Sequence, residues 1–389
     1  MPSILIDVSR LVARSLKGLL ATGVDRVCLA YILHYKKSAL AVLSEGRFSA
    51  VLSEHDSELI FNALLNPSKL SQKLIKKLVL KARCFGWART LIPYKNAILF
   101  NVSHTGLDHH DYAMMLRKLG ALPVFMVHDL IPITHPEYAR VGDATQHQAR
   151  MLSLLKLGTG VISNSQHTLD ALHSFAKKNN LKTPPAIVSS IAHTLSPRLP
   201  TANKSPYPTP YFVILGTIEP RKNHWLLLQV WRRLIEQLGD KAPKLVIIGR
   251  RGWECENIID LLERCEILKG HVIELEKCSD QELTNILHYS NALLFPTFTE
   301  GFGLPIAEAL DLNVPVIASD LSVFREFAHD VPEYIDPLDA IKWLTTIIEY
   351  SDLNHPKRLA QIERIKTLTL PTWQQHFAQV DRFIASLHS

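Results

Sequence analysis

Two series of short apolar strands, each alternating with helical segments, constrain the fold of this chain more than any other feature. The first series is predicted at residues 4–8, 97–103, 123–129, 160–165 and 185–191. The second is predicted at residues 211–217, 244–249, 271–275, 292–297 and 315–319. Strands that alternate with helices favour a parallel sheet covered by helices on both faces. The sequence therefore predicts an α/β protein with two doubly wound, Rossmann-like domains.

A proline-rich stretch separates the two series. Residues 197–210 contain five prolines and little that could enter a core, which is typical of a linker between domains. We therefore predict an N-terminal domain over residues 1–200 and a C-terminal domain over residues 201–370. The remaining residues, 371–389, have the apolar spacing of an amphipathic helix.

The two halves of the chain differ in charge. Residues 1–200 carry 24 Lys and Arg against 12 Asp and Glu, whereas residues 201–389 carry 19 against 25. Within the first half, the segment 69–95 has no acidic residue and combines lysine and arginine with Leu, Ile, Phe and Trp. A basic amphipathic helix of this kind predicts contact with an anionic membrane surface. The alternative is a solvated helix that covers the first sheet with its lysine stems.

Composition and motif content exclude several classes of protein. No apolar run approaches the ~20 residues of a membrane-spanning helix. The five cysteines are scattered and form no C-x-x-C pair, so we expect a cytoplasmic protein, at most peripheral on the inner face of the membrane. The stretch after residues 4–8 lacks the G-x-G-x-x-G of a nucleotide-dependent oxidoreductase. The basic segment has few interleaved aromatics and the second half is acidic, which argues against a nucleic-acid partner.

A glycine-containing loop in the second domain is a candidate anion site. The stretch TEGFGLPIAE, residues 299–308, places Gly301 and Gly303 between a strand and a predicted helix. The amides of Phe302, Gly303 and Leu304 would be free at the helix N-terminus, where free donors and the helix dipole favour an anion. A plain glycine turn explains the same pattern, so the loop alone does not indicate function.

Two carboxylates flank this loop. Glu308 lies about one turn into the predicted helix, where the helix dipole favours a carboxylate even without a ligand. A carboxylate there can also accept two hydrogen bonds from the vicinal hydroxyls of a ribose. Glu300 lies before the helix and could accept from sugar hydroxyls. We therefore predict that the two acids bind neutral hydroxyls on either side of an anion.

Two further strand ends in the second domain carry cationic candidates. In LGTIEPRKNHW, residues 215–225, a strand ends near Gly216 and Arg221 and Lys222 follow it, at the strand end that we expect to neighbour the glycine loop. Their donors could bind a diphosphate, although a solvated charge pair is an equal alternative. Arg250 follows the strand at 244–249 and could face a nucleotide base, again with a surface arginine as an equal alternative.

The first domain offers fewer candidates. Gly23, in ATGVDRV, precedes a predicted helix, and His128 and Asp129 end the strand at 123–129. A single buried histidine is usually structural, and only its position distinguishes His128 from the other 17 histidines. No D-x-D occurs in a strand-end loop, so we expect no carboxylate-bound metal.

These motifs resemble those of family 4 glycosyltransferases. EGFGLPIAE is similar to the E-x7-E motif of that family, and GTIEPRKNH to its Arg-Lys signature in the form common among bacterial mannosyltransferases of polysaccharide assembly. VHDLIPITHPEY, TGVDRV and YIDPLD also match, in the right order. The resemblance covers nearly the whole chain and implies the GT-B fold, in which two Rossmann-like domains face one another across a cleft. Asn313 stands where the family usually has Gly, and Asn tolerates the positive φ of such a turn.

The resemblance implies a retaining, metal-independent glycosyltransferase that uses a nucleotide-sugar donor and no cofactor. The EPRKN form favours GDP-mannose, and a UDP-sugar-dependent, glucosyl-type transferase is the alternative. A non-catalytic nucleotide-sugar-binding protein is a further alternative. The acceptor would be a glycan or a lipid-linked glycan, as in lipopolysaccharide assembly.

The family's functional residues can be carried over by position. Arg221 and Lys222 would bind the donor diphosphate and act in catalysis, and Glu308 would hold the ribose. Glu300, with the amides of residues 301–304, would hold the transferred sugar and its phosphate and act in catalysis. Gly216 would also contact the donor.

In the first domain the resemblance assigns three residues. Gly23 would lie against the diphosphate, His128 would lie beside the donor sugar as a catalytic residue, and Asp129 would contact the acceptor. The helix at 371–389 would cross back onto this domain.

Overall fold

The structure is a computed structural model that describes residues 4–46, 48–85, 94–193, 200–202, 204–208 and 210–388. The chain divides into two compact units. Unit 1 comprises Met1–Pro136, Val141–Ile191 and Thr372–Ser389. Unit 2 comprises Glu137–Arg140 and Ala192–Pro371.

Strands and helices alternate along most of the described chain. The strands are β1 (Ile4–Asp7), β2 (Ala39–Glu45), β3 (Phe48–Val51), β4 (Ile98–Asn101), β5 (Leu122–Val127), β6 (Gly160–Ser163), β7 (Ala186–Val188), β8 (Tyr211–Leu215), β9 (Lys244–Ile248), β10 (Val272–Leu275), β11 (Ala292–Phe295), β12 (Val316–Ser319) and β13 (Glu333–Ile335). The helices are α1 (Ser9–Leu16), α2 (Gly23–Tyr35), α3 (Glu54–Leu65), α4 (Lys69–Phe85), α5 (His110–Leu119), α6 (Ile131–Thr134), α7 (Asp143–Leu157), α8 (Gln166–Lys178), α9 (His224–Leu238), α10 (Glu256–Arg264), α11 (Asp280–His288), α12 (Leu304–Asp311), α13 (Ser322–Ala328), α14 (Ala340–Ser351), α15 (Pro356–Thr367) and α16 (Trp373–Ser386).

Unit 1 is built on a seven-stranded sheet of order β3-β2-β1-β4-β5-β6-β7. All neighbouring strands are parallel except β3, which runs antiparallel to β2. The five strands predicted for this half are confirmed. The hairpin of β2 and β3 was not predicted, because β2 follows α2 within four residues and no Gly or Pro marks the change from helix to strand.

Unit 2 is built on a six-stranded parallel sheet of order β10-β9-β8-β11-β12-β13. Counted within the unit, this is the 3-2-1-4-5-6 order of the Rossmann fold, and its direction reverses between β8 and β11. The five predicted strands are confirmed, whereas the three-residue β13 was too short to predict. The core of the unit packs Trp231 and Trp343, both 0% exposed, against the sheet.

The last helix, α16, belongs to unit 1 and packs against α2. The ring of Phe377 lies edge-on to Tyr31, with centroids 5.1 Å apart, and the Tyr31 hydroxyl lies 3.0 Å from Nε2 of His376. The Tyr35 hydroxyl donates to Oδ1 of Asp381 at 2.6 Å. Phe377, Val380 and Phe383 are all buried, and the ring of Phe383 lies beside Gly160 of β6, which explains the apolar spacing seen in the sequence.

No helix in the described part of the chain is both long enough and apolar enough to span a bilayer.

Candidate functional site

The site in unit 2 lies where β8 and β11 end side by side. Ligands of open α/β sheets bind at such a reversal of strand order. After β8 the backbone passes through Gly216, at φ 142°, and its carbonyl lies so close to Gly249 that a Cβ there would approach it to 1.9 Å. The two loops can therefore pack backbone against backbone only because position 249 is glycine, and the φ at Gly216 also favours glycine.

The loop after β8 then presents Arg221 and Lys222 from a short 3-10 turn, Pro220–Lys222. Asn223 ends this turn with φ 56°, and its side-chain amide donates to the carbonyl of Pro337 at 2.9 Å. Lys222 is 9% exposed, and its ammonium lies 4.6 Å from the centre of the Phe295 ring. Both cations are thus held at the strand end and do not extend freely into solvent.

Glu300, in the loop after β11, joins both cations. Its Oε1 lies 2.6 Å from Nη1 of Arg221 and also accepts a hydrogen bond from Nζ of Lys222. Thr297 donates to the same oxygen at 3.2 Å. The structure therefore brings together Arg221, Lys222 and Glu300, which the sequence placed at neighbouring strand ends.

A second carboxylate, Glu219, fixes the orientation of Arg221. Its Oε1 accepts from Nε and Nη2 of Arg221 at 3.1 and 2.7 Å, while Nη1 also donates to the carbonyl of Thr299 at 2.7 Å. The sequence reasoning missed this role. The available signal was the position of Glu219, two residues before Arg221 in the same loop.

Burial and charge act against each other in this cluster. Burial raises the pKa of Glu300, but the attraction of Arg221 and Lys222 outweighs it and holds the pKa below its usual range. Burial lowers the pKa of Lys222, which Glu300 only partly offsets. Burial also raises the pKa of Glu219 in spite of Arg221 and Lys222. Two cations and two carboxylates make the cluster formally neutral, which reduces the cost of holding charge away from water.

The N-terminus of α12 presents free backbone donors beside this cluster. Gly303 caps the helix at φ 106°, and the amides of Phe302, Gly303 and Leu304 donate to no partner among the described residues. The side chain of Phe302 points into the unit and stacks on Phe327, with ring centroids 4.6 Å apart. Gly301 precedes it in the same loop. This arrangement can bind an anion, as the sequence predicted for the loop.

Three other predicted positions in unit 2 can be located. Glu308 is the fifth residue of α12 and is 6% exposed. Arg250 follows β9 and is exposed, and its carbonyl accepts from the amide of Ile218. Asn313 adopts φ 56°, which confirms that asparagine takes the positive φ of the turn after α12. No finding tests the ligand roles of Glu308 and Arg250, which remain predictions.

In unit 1, Gly23 is the first residue of α2. The amide and hydroxyl of Thr22 each donate to Oδ2 of Asp25 at 2.7 Å, which caps the helix. Arg10 and Arg14 form ion pairs with the same carboxylate at 2.8 and 2.7 Å. The start of α2 is therefore rigidly held, with two arginines that the sequence reasoning did not single out.

His128 and Asp129 follow β5 in unit 1. Nε2 of His128 lies 2.7 Å from the carbonyl oxygen of Val102, and because a carbonyl can only accept, Nε2 must carry the proton. Burial lowers the pKa of His128, so its ring is neutral at pH 7 and Nδ1 can accept a hydrogen bond. The Oδ1 of Asp129 accepts from the amide of Ile131 at 3.0 Å, which starts α6.

His104 lies beside His128, and a third histidine, His147, lies beside His104. The ring centroid of His104 lies 5.6 Å from that of His128 and 5.7 Å from that of His147. Burial lowers the pKa of His104 well below its usual value, so this group is uncharged as well. Among the residues that the structure describes, no group of three or more His, Cys, Asp or Glu is arranged to hold a metal ion.

Comparison with known sequences identifies relatives of this chain. Residues 197–363 match the family model for glycosyl transferases group 1. The serotype-specific mannosyltransferase WbdA of Escherichia coli is 28% identical over 281 residues, which are 67% of this chain and 33% of WbdA. The O-antigen chain mannosyltransferase RfbU of Salmonella typhimurium is 26% identical over 297 residues, 74% of each chain. This chain thus spans about a third of the length of WbdA.

Comparison with solved structures identifies the fold. HepE of Anabaena, solved in complex with UDP, matches with a TM-score of 0.67 over 99% of this chain and 100% of HepE, at 14% identity. Identity this low establishes the fold alone. That fold is GT-B, with two α/β domains built on parallel sheets, and the fold class predicted from the sequence is confirmed.

Proposed function

We propose that this chain is a retaining glycosyltransferase that moves mannose from GDP-mannose to a glycan acceptor, because residues 197–363 match the family model for glycosyl transferases group 1. The observation that carries the proposal is the cluster of Arg221, Lys222 and Glu300 beside the free amides of α12. The mannosyltransferase names of WbdA and RfbU support mannose as the sugar.

The cluster suits a sugar attached to a diphosphate. Diphosphate oxygens compete with Glu300 for the donors of Arg221 and Lys222, and the amides of Phe302, Gly303 and Leu304 add neutral donors. A carboxylate displaced from one of its cations is then an acceptor for hydroxyls of the transferred sugar. Glu308, further along α12, is proposed to accept from the ribose hydroxyls.

The proposed reaction needs no covalent intermediate. The bond between the anomeric carbon and the phosphate oxygen breaks, and negative charge builds on the leaving diphosphate, where Arg221, Lys222 and the helix amides stabilise it. The acceptor hydroxyl forms its bond to the same face of the sugar, and its proton passes to the leaving phosphate oxygen. Charge stabilisation by these cations supports a reaction that proceeds without a metal or another cofactor.

In unit 1 the proposal gives roles to three residues. Gly23, at the start of α2, would approach the diphosphate through its backbone. His128, which is neutral with Nδ1 as an acceptor, would orient a hydroxyl of the donor sugar. Asp129 keeps its second carboxylate oxygen for the acceptor, since Oδ1 accepts from the amide of Ile131.

A panel of nucleotide sugars tests the donor. We expect GDP-mannose to raise the melting temperature and to bind in calorimetry more tightly than UDP-glucose, because a ligand of the native state adds to apparent stability. UDP-glucose is the informative competitor, because HepE was solved in complex with UDP. Tighter binding of a UDP-sugar would contradict GDP-mannose as the donor and would indicate a UDP-sugar-dependent, glucosyl-type transferase. Binding without transfer to any glycan would indicate a non-catalytic binding protein.

The membrane is the proposed location of the acceptor, and helix α4 is the element that supports it. Ile75, Leu78 and Ala82 are buried, so one face of the helix packs on unit 1. The opposite face exposes lysines and leucines together: Lys69, Leu70, Lys73, Lys76, Lys77 and Leu80. Residues 86–93 of the basic segment lie outside the described residues.

Flotation with anionic vesicles tests this location. Each lysine near an anionic surface adds ~1 kcal/mol of attraction, so we expect binding at low salt that weakens as salt is added. Neutral vesicles of the same size are the control. Equal flotation with both kinds of vesicle, or none with either, would contradict a peripheral location that depends on α4.

A further inference from the structure

A groove in unit 1 contains none of the residues assigned to the donor or acceptor, although it shares Lys76 and Leu80 with the exposed face of α4. It encloses about 420 Å³, within the range of small-molecule sites, ~300–1,000 Å³. It is formed by α1, the end of β2 and the start of β3, and α4. Its walls are mainly apolar: Val12, Leu16, Leu43, Phe48, Val79 and Leu80.

One end of the groove lies at the reversal of strand order in the unit 1 sheet. Ser9 follows β1 and Thr105 follows β4, and the sheet order changes direction between these two strands. Ser44 lies near the end of β2, and its amide donates to Oγ of Ser9 at 2.8 Å. Reacting groups in open α/β sheets are presented at this edge. A ligand in the groove therefore reaches from the functional edge of unit 1 to the space between α1 and α4.

The outer end of the groove is bordered by exposed leucines. Leu16 and Leu80 line it and are 42% and 63% exposed. Leu19 and Leu20 follow α1 and are 43% and 64% exposed. The turn that carries them lies against α4, since a Cβ on Gly18 would be 3.8 Å from the side chain of Gln72. Apolar surface grouped in this way marks an interaction site.

The charge available at the groove is positive. Arg83 and Glu45 both line it and pair with each other, so they cancel. Lys76 also lines it and forms no ion pair with any described residue. A ligand with apolar length and one anionic group matches an apolar groove with one unpaired cation.

We propose that this groove binds the hydrocarbon chain of a lipid phosphate, with the phosphate on Lys76, and so seats a lipid-linked acceptor on unit 1. The inference rests on the proposed glycosyltransferase function, and it specifies the acceptor class. A bilayer surface would contact the exposed face of α4 but would not enter the groove. A free phosphate would use Lys76 but not the apolar walls.

Calorimetry with decyl phosphate, held below the concentration at which it forms micelles, tests the groove directly and without any nucleotide sugar. We expect one saturable site per chain. Ala13→Trp fills the groove from an exposed position on α1, and Leu80→Gln removes apolar wall from an exposed position on α4. Each is expected to weaken binding about tenfold or more, and Lys76→Gln about fivefold.

Two matched variants on the same helix are the controls. Leu70→Gln changes a leucine that is 77% exposed, and Lys69→Gln changes an exposed lysine, and neither residue lines the groove. Both should bind decyl phosphate within twofold of the unaltered chain. Leu70→Gln should also weaken vesicle flotation as much as Leu80→Gln does, and Lys69→Gln as much as Lys76→Gln, because surface attraction depends on charge and exposed apolar area and not on the groove.

Three results would overturn the inference: no saturable binding of decyl phosphate, competition by inorganic phosphate at equal concentration, or equal weakening by Leu70→Gln and Leu80→Gln.

Donor binding by each variant is measured in parallel. A chain that binds GDP-mannose but not decyl phosphate contradicts the groove assignment alone. A chain that binds decyl phosphate but no nucleotide sugar contradicts the proposed function and leaves the lipid site in place.

Discussion

At the scale of single residues, the guanidinium of Arg221 is held in place by three acceptors of the protein itself. Glu219 binds it from one side and Glu300 from the other, and the carbonyl of Thr299 takes a further N–H. A guanidinium held in this way keeps its orientation while one partner is exchanged for a phosphate. Glu219 is therefore a positioning residue, and Glu300 is the partner that faces the ligand.

Removing Glu219 should destabilise unit 2. Glu219→Ala leaves a mostly buried Arg221 without its two-point acceptor, so the free energy of unfolding should fall by about 3 kcal/mol. Denaturant unfolding measures the change. Glu266→Ala is the control, because its ion pair with Lys269 is exposed and should contribute less than ~1 kcal/mol. Equal losses in the two variants would show that Glu219 does not support the cluster.

Removing Lys222 should affect the reaction more than the fold. Lys222→Ala deletes a cation proposed to stabilise the leaving diphosphate, and loss of one such donor lowers kcat by ~10²–10³. Glu300→Ala should also remove most turnover, since it deletes the acceptor for sugar hydroxyls. Circular dichroism verifies folding, and Lys269→Ala is the control for a surface charge. Rates near those of the unaltered chain in both variants would refute these assignments.

At the scale of elements, the start of α12 depends on a glycine at a positive φ. Gly303 caps the helix at φ 106°, and a Cβ there would lie 2.8 Å from the ring of Phe324. The same residue brings the free amides of the loop to the strand end. The positive φ that brings the backbone amides to the strand end is therefore the same conformation that leaves no room for a side chain at position 303.

Gly303→Ala should be more destabilising than the same change in open space. Gly142 caps α7 at φ 91° with nothing within 4 Å of its Cβ position, so Gly142→Ala reports the backbone strain alone, about 1 kcal/mol. Gly303→Ala adds a collision with Phe324 and should lose at least ~1 kcal/mol more, with weaker donor binding. Thermal unfolding and calorimetry measure both. Similar losses would mean that the Phe324 ring moves aside without cost.

At the scale of the whole molecule, the chain returns to unit 1 at its end. His376, on α16, is 1% exposed and lies between the Tyr31 hydroxyl, at 3.0 Å, and the Ser189 hydroxyl, also at 3.0 Å. Burial lowers the pKa of His376 to about 4. Unit 1 therefore depends on a neutral imidazole to hold its last helix.

Acid should loosen this contact. The unfolded chain binds a proton at His376 near pH 6.5 and the folded chain only near pH 4, so its contribution is complete above pH 6.5 and falls as the pH drops toward 4. The loss is roughly 3 kcal/mol. His376→Gln should flatten the pH dependence of unfolding over that range. His110→Gln, at an exposed position, is the control and should leave the dependence unchanged; an unchanged slope in His376→Gln would contradict the argument.

The sequence by itself determined the positions of ten strands along the chain, the two parallel-sheet domains and the loops that carry the candidate residues. It could do so because continuous apolar runs, glycine turns and an asparagine such as Asn313 act through local burial and local φ. Glu300 and Lys222 were each placed at the end of a strand on the same basis. The roles of these residues remain predictions.

Only the tertiary structure decided which groups pair. The contact between Glu300 and Lys222 joins residues 78 apart in sequence, and α16 packs against α2 across more than 300 residues. The groove between α1 and α4 likewise arises only when elements distant in sequence pack together. Such contacts depend on the order of strands in the sheet and on the side chains that packing brings together, and no local pattern encodes either.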